Sequence, residues 1–429
     1  MKQQETRFWH PFANMAEVAG HEFTVTRAKG VHLWDDAGRR HLDASASLWC
    51  ANVGHGRPEI AAAVHAQLLE LDAYMTFGDY TNPQAEELCR RLAELAPVPG
   101  ARVFLGSGGG DAIEMAAKLA RQYWALEGMP RRQHVLGRVG GYHGTHGFGT
   151  SIGGIEANRA AFGPLVAATG QVDRDDLGAL ERRILELGPD SVAAFVCEPV
   201  LGAGGVRLPE PGYIEGAAAL CAEYGVLFVV DSVICAFGRL GTWFGIERWD
   251  GVEPDMITFA KGVSNGALPL GGTIVSERVA EPFWEGEGSM FRHGQTYSGH
   301  SACCVAALAN IEVLEQENLI PRGQELEGDL HDALRPLADH PLIAEVRAGL
   351  GLLAAVELDA GALAREPGLA LRLQRAVRER CVLVRPLPTA LAISPPLTIE
   401  REQLQEIADA IDDAVREVAH DIPARSVTG

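Results

Sequence analysis

Two stretches decide the fold: VLFVVDS at 226–232 and, one helix-length further on, MITFAK at 256–261. Each opens as an apolar run too short for a helix, and each closes on a residue that carries charge or starts a turn. Four more runs share the pattern: VFLG (103–106), HVLGRV (134–139), VAAFVCEP (192–199) and GGTIVS (271–276). Between them lie amphipathic segments such as DAIEMAAKLARQYWALEG (111–128) and GYIEGAAALCAEYG (212–225). A strand that is apolar throughout, rather than at alternate positions, is covered on both faces. Its alternation with helices gives crossover units and an α/β fold with a mostly parallel sheet.

Working outward, residues 22–45 alternate and contain the turn Asp36-Ala37-Gly38, so short strands are expected there. Residues 57–74 and 83–96 repeat apolar positions at helical spacing. Past about residue 300 the rhythm changes. Helical segments at 302–316, 321–338, 368–380 and 401–419 flank LLAAVEL (352–358) and VLVRPL (382–387). The expected division is a segment 1–60 that joins a small domain, a large domain over 61–315, and a C-terminal α+β part over 316–429.

The chain has 429 residues and a net charge of −20. Such a surplus of acid repels duplex nucleic acid and anionic membranes, so neither is expected as a partner. A small anion is still admissible, because one pocket can be basic. No apolar stretch reaches the 18 residues of a membrane span, and the opening MKQQETRFWHPF has no apolar core for a signal peptide. The expected location is the cytoplasm. The eight cysteines form no C-x-x-C pair and sit mostly in apolar runs, as buried reduced thiols do. His143 and His146 are three apart but lack the further ligands that zinc needs, so no metal is expected.

In a parallel sheet, ligands bind at the carboxyl ends of the strands. The residues just past the runs are Ser107-Gly108-Gly109-Gly110-Asp111, Gly141-Tyr142-His143-Gly144, Glu198-Pro199, Asp231 and Lys261. The glycine run opens a helix, where free amides can receive a phosphate, although a plain tight turn reads the same way. It is not a Walker loop. Asp231 is open to two readings, a turn former or a functional carboxylate. Lys261 is harder to explain by packing, because an unpaired buried ammonium is costly. Such an amine can lose its proton and act as a nucleophile, or it can simply reach out to solvent.

Taken together, the motifs resemble the class III, or ω-amino acid, aminotransferases, which have fold type I and use pyridoxal 5′-phosphate (PLP). The resemblance runs nearly end to end. It is carried in order by FWHPFANM, GVHLWDDAGRRHLDASASLWCANVGHGRPEI, GSGGGDAIEMAAKLAR, GGYHGTHGFG, EPVLGAGG, DSVICAFGRLG, FAKGVSNG, HGQTYSGHSACCVAALA and VRPLPTALAISPPL. It implies a large domain built on a mostly parallel seven-stranded sheet between helices, plus a small α+β domain drawn from both chain ends. Lys261 then corresponds to the Schiff-base lysine, and Asp231 to the carboxylate at the pyridine nitrogen. Val233 and Tyr142 correspond to the residues on the two ring faces. Gly108, Gly109 and Gly110, with His143 nearby, form the rest of the cofactor site. Thr296 resembles the threonine that reaches the phosphate of a neighbouring subunit, which implies a homodimer with shared active sites; a pair of such dimers is left open. Arg385 has the spacing of a carboxylate-binding arginine, and Glu198 resembles a glutamate that pairs with it when no carboxylate is bound. Trp49 and Phe12 resemble pocket-lining residues.

The chain departs from the family's pattern in places. Gly108-Gly109-Gly110-Asp111-Ala112 stands where the family usually has Ser-Gly-Ser-Glu-Ala. The amides survive this change, so phosphate binding is expected to persist, weaker by about 1 kcal/mol. Ser232 replaces a usual glutamate, and Ser301 a usual proline. The implied activity is transfer of an amino group from a primary amine or ω-amino acid to a keto acid such as pyruvate. Two alternatives stay open: a diaminononanoate synthase-like aminotransferase, and a decarboxylase, mutase or racemase of the same fold.

Overall fold

The computed structural model describes residues 6–285 and 288–421. Near the start, β1 (Val25–Lys29), β2 (His32–Asp35) and β3 (Arg40–Asp43) form an antiparallel meander. Seven strands follow: β4 (Arg102–Gly106), β5 (His134–Arg138), β6 (Thr169–Val172), β7 (Val192–Cys197), β8 (Leu227–Asp231), β9 (Met256–Phe259) and β10 (Gly271–Val275). They make one sheet in the order β4-β10-β9-β8-β7-β5-β6. Only β10 runs against its neighbours; the other pairings are parallel. Strands β7, β8, β9 and β10 are buried at every position, as their unbroken apolar runs require. The fold is therefore α/β with a mostly parallel seven-stranded sheet, as the sequence implied.

Strand β6 has no counterpart in the sequence reading. Its sequence is TGQV at the sheet edge, and only Val172 is buried, so no apolar run marks it. The helix expected over 321–338 is broken into Arg322–Glu325, Glu327–Leu334 and a 3₁₀ turn at Arg335–Asp339, where Pro336 sits in the first turn.

Five strands follow the seven: β11 (Ile343–Arg347), β12 (Ala354–Leu358), β13 (Val382–Leu383), β14 (Arg385–Pro386) and β15 (Ala390–Ile393). The run VLVRPL is thus divided between two sheets. β13 extends the N-terminal meander by pairing with β3, and β14 joins β11, β12 and β15. Arg385 lies just past the point where the chain passes from one sheet to the other.

One guanidinium ties these parts together. Arg239 is fully buried. It donates to Leu352 O at 2.8 Å, to Pro395 O at 2.7 Å and to Asn52 Oδ1 at 2.9 Å. Asn52 in turn donates to Phe237 O at 2.9 Å. Burial pulls the Arg239 guanidinium down to about 10. It stays charged at neutral pH, and its cost is met by these oxygen partners. Arg239→Ala strands three buried acceptors and opens a cavity, which costs about 3 kcal/mol or more. A drop of several degrees in the thermal unfolding midpoint of the full chain is the expected readout.

Candidate active site

The carboxyl ends of β4, β5, β7, β8 and β9 lead into one cavity of about 250 Å³. Its walls include Gly109, Tyr142, Glu198, Asp231, Val233 and Lys261. The five strand tips therefore converge as the parallel topology predicts.

Asp231 ends the central strand and is buried. Its Oδ2 lies 2.7 Å from His143 Nδ1. Its Oδ1 accepts from Thr258 Oγ1 at 3.1 Å and from Val233 N at 3.2 Å. A carboxylate only accepts, so Nδ1 of His143 carries the proton. The other nitrogen, Nε2, is buried and has no partner among the described residues. A buried polar atom of that kind calls for a ligand or a water.

Lys261 directly follows Ala260 at the tip of β9 and opens a 3₁₀ turn with a left-handed φ of 48°. For a side chain with a Cβ this is a strained backbone, held by the packed turn around it. Burial is the largest influence on its amine and lowers it to about 8; Asp231 and Glu198 oppose the shift, and Arg385 adds to it. Nζ lies 5.0 Å from the centre of the Trp49 ring.

The glycine run begins the helix Gly109–Leu126, whose first amides have no partner within the helix. A larger residue at Gly109 would crowd Val233, because a Cβ there would lie 3.0 Å from both of its methyls. Gly144 is forced: its φ is 89°, and a Cβ would lie 2.8 Å from Gly110 Cα. The glycine loop and the Tyr142–His143 loop are therefore in direct contact.

Tyr142 donates its backbone N–H to Glu198 Oε1 at 3.0 Å, and burial raises its phenol. Phe12 is 74% exposed but reaches Tyr142, with ring centres 6.5 Å apart. Trp49 is buried beneath the Arg385 guanidinium, 4.6 Å from ring centre to Cζ. Burial lowers Arg385, and its buried Nε has no partner among the described residues.

One expectation needs correcting. Glu198 does not pair with Arg385. Its Oε1 is taken by Tyr142 N, and its Oε2 accepts from Gly202 N at 2.9 Å. Burial, with Asp231 nearby, raises this carboxyl. Among the described residues Arg385 forms no ion pair, and its guanidinium rests on Trp49 instead. The hydroxyl of Ser232 is satisfied by Phe244 O at 2.6 Å, so the missing glutamate leaves no buried gap in bonding. Thr296 is exposed and does not line the cavity of its own chain.

Thr258 was not singled out from the sequence. It is the one polar residue of MITF, and it sits directly across from Asp231 in the β8–β9 register. A hydroxyl inside a fully buried strand is the signal that could have found it. Thr145, His146 and Ile234 also line the cavity.

The aminotransferase class-III family model matches residues 14–415. A putrescine–pyruvate aminotransferase of Pseudomonas aeruginosa is 37% identical over 405 residues, covering 89% of this chain and 88% of the relative. A β-alanine–pyruvate aminotransferase of the same organism is 33% identical, covering 96% of each. Among solved structures, the PLP-bound amine transaminase of an uncultivated Pseudomonas species superposes with a TM-score of 0.91 at 35% identity, covering 97% of this chain and all of the other.

The lowered Lys261 amine sets a pH signature. Below its midpoint the ammonium cannot attack a carbonyl; above it the free amine can. Addition of a reactive aldehyde, trapped with borohydride and located by peptide mass spectrometry, should reach half its limiting rate near pH 8. An ordinary lysine would reach it near 10.5.

Proposed function

Because the chain belongs to the class-III aminotransferases, which are PLP enzymes of fold type I, we propose that it moves the amino group of a primary amine or ω-amino acid to a keto acid such as pyruvate. The observation that carries this reading is Arg385, an unpaired guanidinium stacked on Trp49 while that same ring lies 5.0 Å from the Lys261 amine. A free fork of N–H donors at that range is suited to a carboxylate.

The cavity suits the cofactor. It has an amine for an aldehyde, a fixed carboxylate for a ring nitrogen, and a helix N-terminus for a phosphate. The orphaned His143 Nε2 marks the wall as one built for a polar ligand. Lys261 would hold the aldehyde carbon, and Asp231 would face the pyridine nitrogen. Val233 and Tyr142 would cover the two ring faces, and the amides of Gly108–Gly110 would meet the phosphate. When bound, the cofactor supplies a ring that takes up the electron pair left when a proton leaves the amine-bearing carbon.

The remaining work falls to side chains. Lys261 Nζ, about half uncharged near pH 8, would take the proton from that carbon and return it to C4′ of the cofactor. His143, Thr258 and Val233 N hold the Asp231 carboxylate in place, so its charge stays aimed at the ring. Arg385 binds the carboxylate of the keto acid. When an amine without a carboxylate enters, its charge can stay over Trp49 rather than cross to Glu198.

We read Thr296 as serving the cofactor phosphate of a partner copy in a homodimer. Its exposure outside its own cavity supports this, as do the exposed apolar side chains Phe77, Tyr80, Trp284, Met290 and Tyr297 around it and the neighbouring groove.

The test is a visible spectrum of the protein with PLP, taken before and after an amine panel and then with pyruvate. Amines should bleach the cofactor band, pyruvate should restore it, and Lys261→Ala should do neither. A band that no amine changes would sink the transaminase reading. Arg385→Ala should raise the KM for pyruvate about a hundredfold, the usual loss for a charge-assisted fork. The same variant should change kcat/KM for a carboxylate-free amine donor much less.

A further inference from the structure

We propose that His146 is a direct ligand of the cofactor phosphate, the side-chain donor beside three glycines that offer only amides. The inference rests on the aminotransferase reading and adds to it a residue that the glycine run alone does not supply.

Gly108, Gly109 and Gly110 bring three backbone N–H groups and no hydroxyl to the helix N-terminus. The first charged side chain of that helix, Asp111, is an obstacle. Its Oδ2 accepts from Ser107 N at 3.0 Å, which leaves Oδ1 as a second carboxylate oxygen beside the helix N-terminus. The His146 imidazole meets that oxygen. Its Nδ1 lies 3.4 Å from Asp111 Oδ1, a Coulombic contact rather than a close hydrogen bond. A Cβ built on Gly110 would touch the imidazole at 3.4 Å through Cε1 and Nδ1. The ring therefore sits beside position 110, at ordinary contact distance from where a side chain would begin.

Apart from Asp111, the His146 side chain has no hydrogen-bond or ion-pair partner among the described residues. His146 precedes the helix Gly147–Ile152 but makes no side-chain capping bond to it. Its side chain is 48% exposed and lines the same cavity as Lys261 and Asp231. One ring nitrogen faces a carboxylate, and the other has no partner among the described residues. An imidazole so held can turn an N–H toward a phosphate oxygen and separate that anion from Asp111. The buried, unpartnered Nε2 of His143 in the same wall is an independent sign that a polar ligand belongs here.

The test titrates the full chain with pyridoxamine 5′-phosphate, which lacks the aldehyde and so does not engage Lys261 covalently. Pyridoxamine, which lacks the phosphate, is the control. His146→Ala should weaken binding of the phosphorylated ligand by roughly ten- to a hundredfold, the range of one hydrogen bond to a charged group. Binding of pyridoxamine should be unchanged. His146→Gln, which keeps an N–H, should recover part of the loss, and Gly110→Ser in the His146→Ala background should recover part as well. If the alanine variant does not fold, His146→Phe keeps the ring volume without its nitrogens and carries the same expectation. Unchanged affinity for the phosphorylated ligand would overturn the proposal, as would an equal loss for both ligands. If the unaltered chain bound neither ligand, the aminotransferase reading would fall and take this proposal with it.

Discussion

The Asp231 carboxylate is the constraint on which the site depends. It ends a strand that is buried along its whole length, so its charge cannot be satisfied by solvent. Three donors from three elements compensate it: Thr258 on the adjacent strand, the amide of Val233 in the following turn, and His143 from a separate loop. Each donor fixes a different part of the cavity. Thr258 locks β8 to β9, whose tip presents Lys261. Val233 is then held against Gly109. His143 holds the loop that carries Tyr142, and Gly144 brings that loop against Gly110. One buried charge thus positions the Lys261 amine, Val233, the Tyr142 loop and the glycine turn.

The electrostatics of the amine follow from this arrangement. Lys261 is pulled toward neutrality by burial and back toward its charged form by Asp231 and Glu198. The balance leaves it near 8, between a pure nucleophile and a pure cation. A proton carrier works best when its affinity lies near the working pH, because it must both accept and release. The strained backbone at Lys261 belongs to the same economy, since a residue held at φ 48° has its side-chain direction fixed by the turn rather than by its own contacts.

Much of this was legible in the sequence, and the exceptions have physical causes. Unbroken apolar runs reveal strands buried on both faces, which is why six of the seven central strands could be read and the polar edge strand TGQV could not. Strand tips reveal ligand-facing residues, so Asp231, Lys261, Tyr142 and Glu198 could be found. What a tip cannot reveal is the partner of each side chain. Glu198 resembles a glutamate that pairs with Arg385, yet two backbone amides that lie four residues after it and 56 before it take both oxygens. The position of Arg385 depends on VLVRPL being divided between two sheets, a tertiary event that no local pattern encodes. Thr258 was readable in principle, as a hydroxyl in an otherwise apolar strand.

That division of labour between sheets has a consequence for descent. Lys261, Asp231 and the glycine turn hang from the central sheet, whereas Trp49 follows the N-terminal meander and Arg385 sits on a two-residue strand of the C-terminal one. On the proposed reading, the parts that would hold the cofactor and the parts that would select its substrates are separate inheritable modules. Drift in the short segments around 46–50 and 382–393 can change what the enzyme accepts while the sheet that performs the chemistry stays unaltered. A lineage built this way can radiate into many amine and keto-acid pairs without reinventing its catalyst.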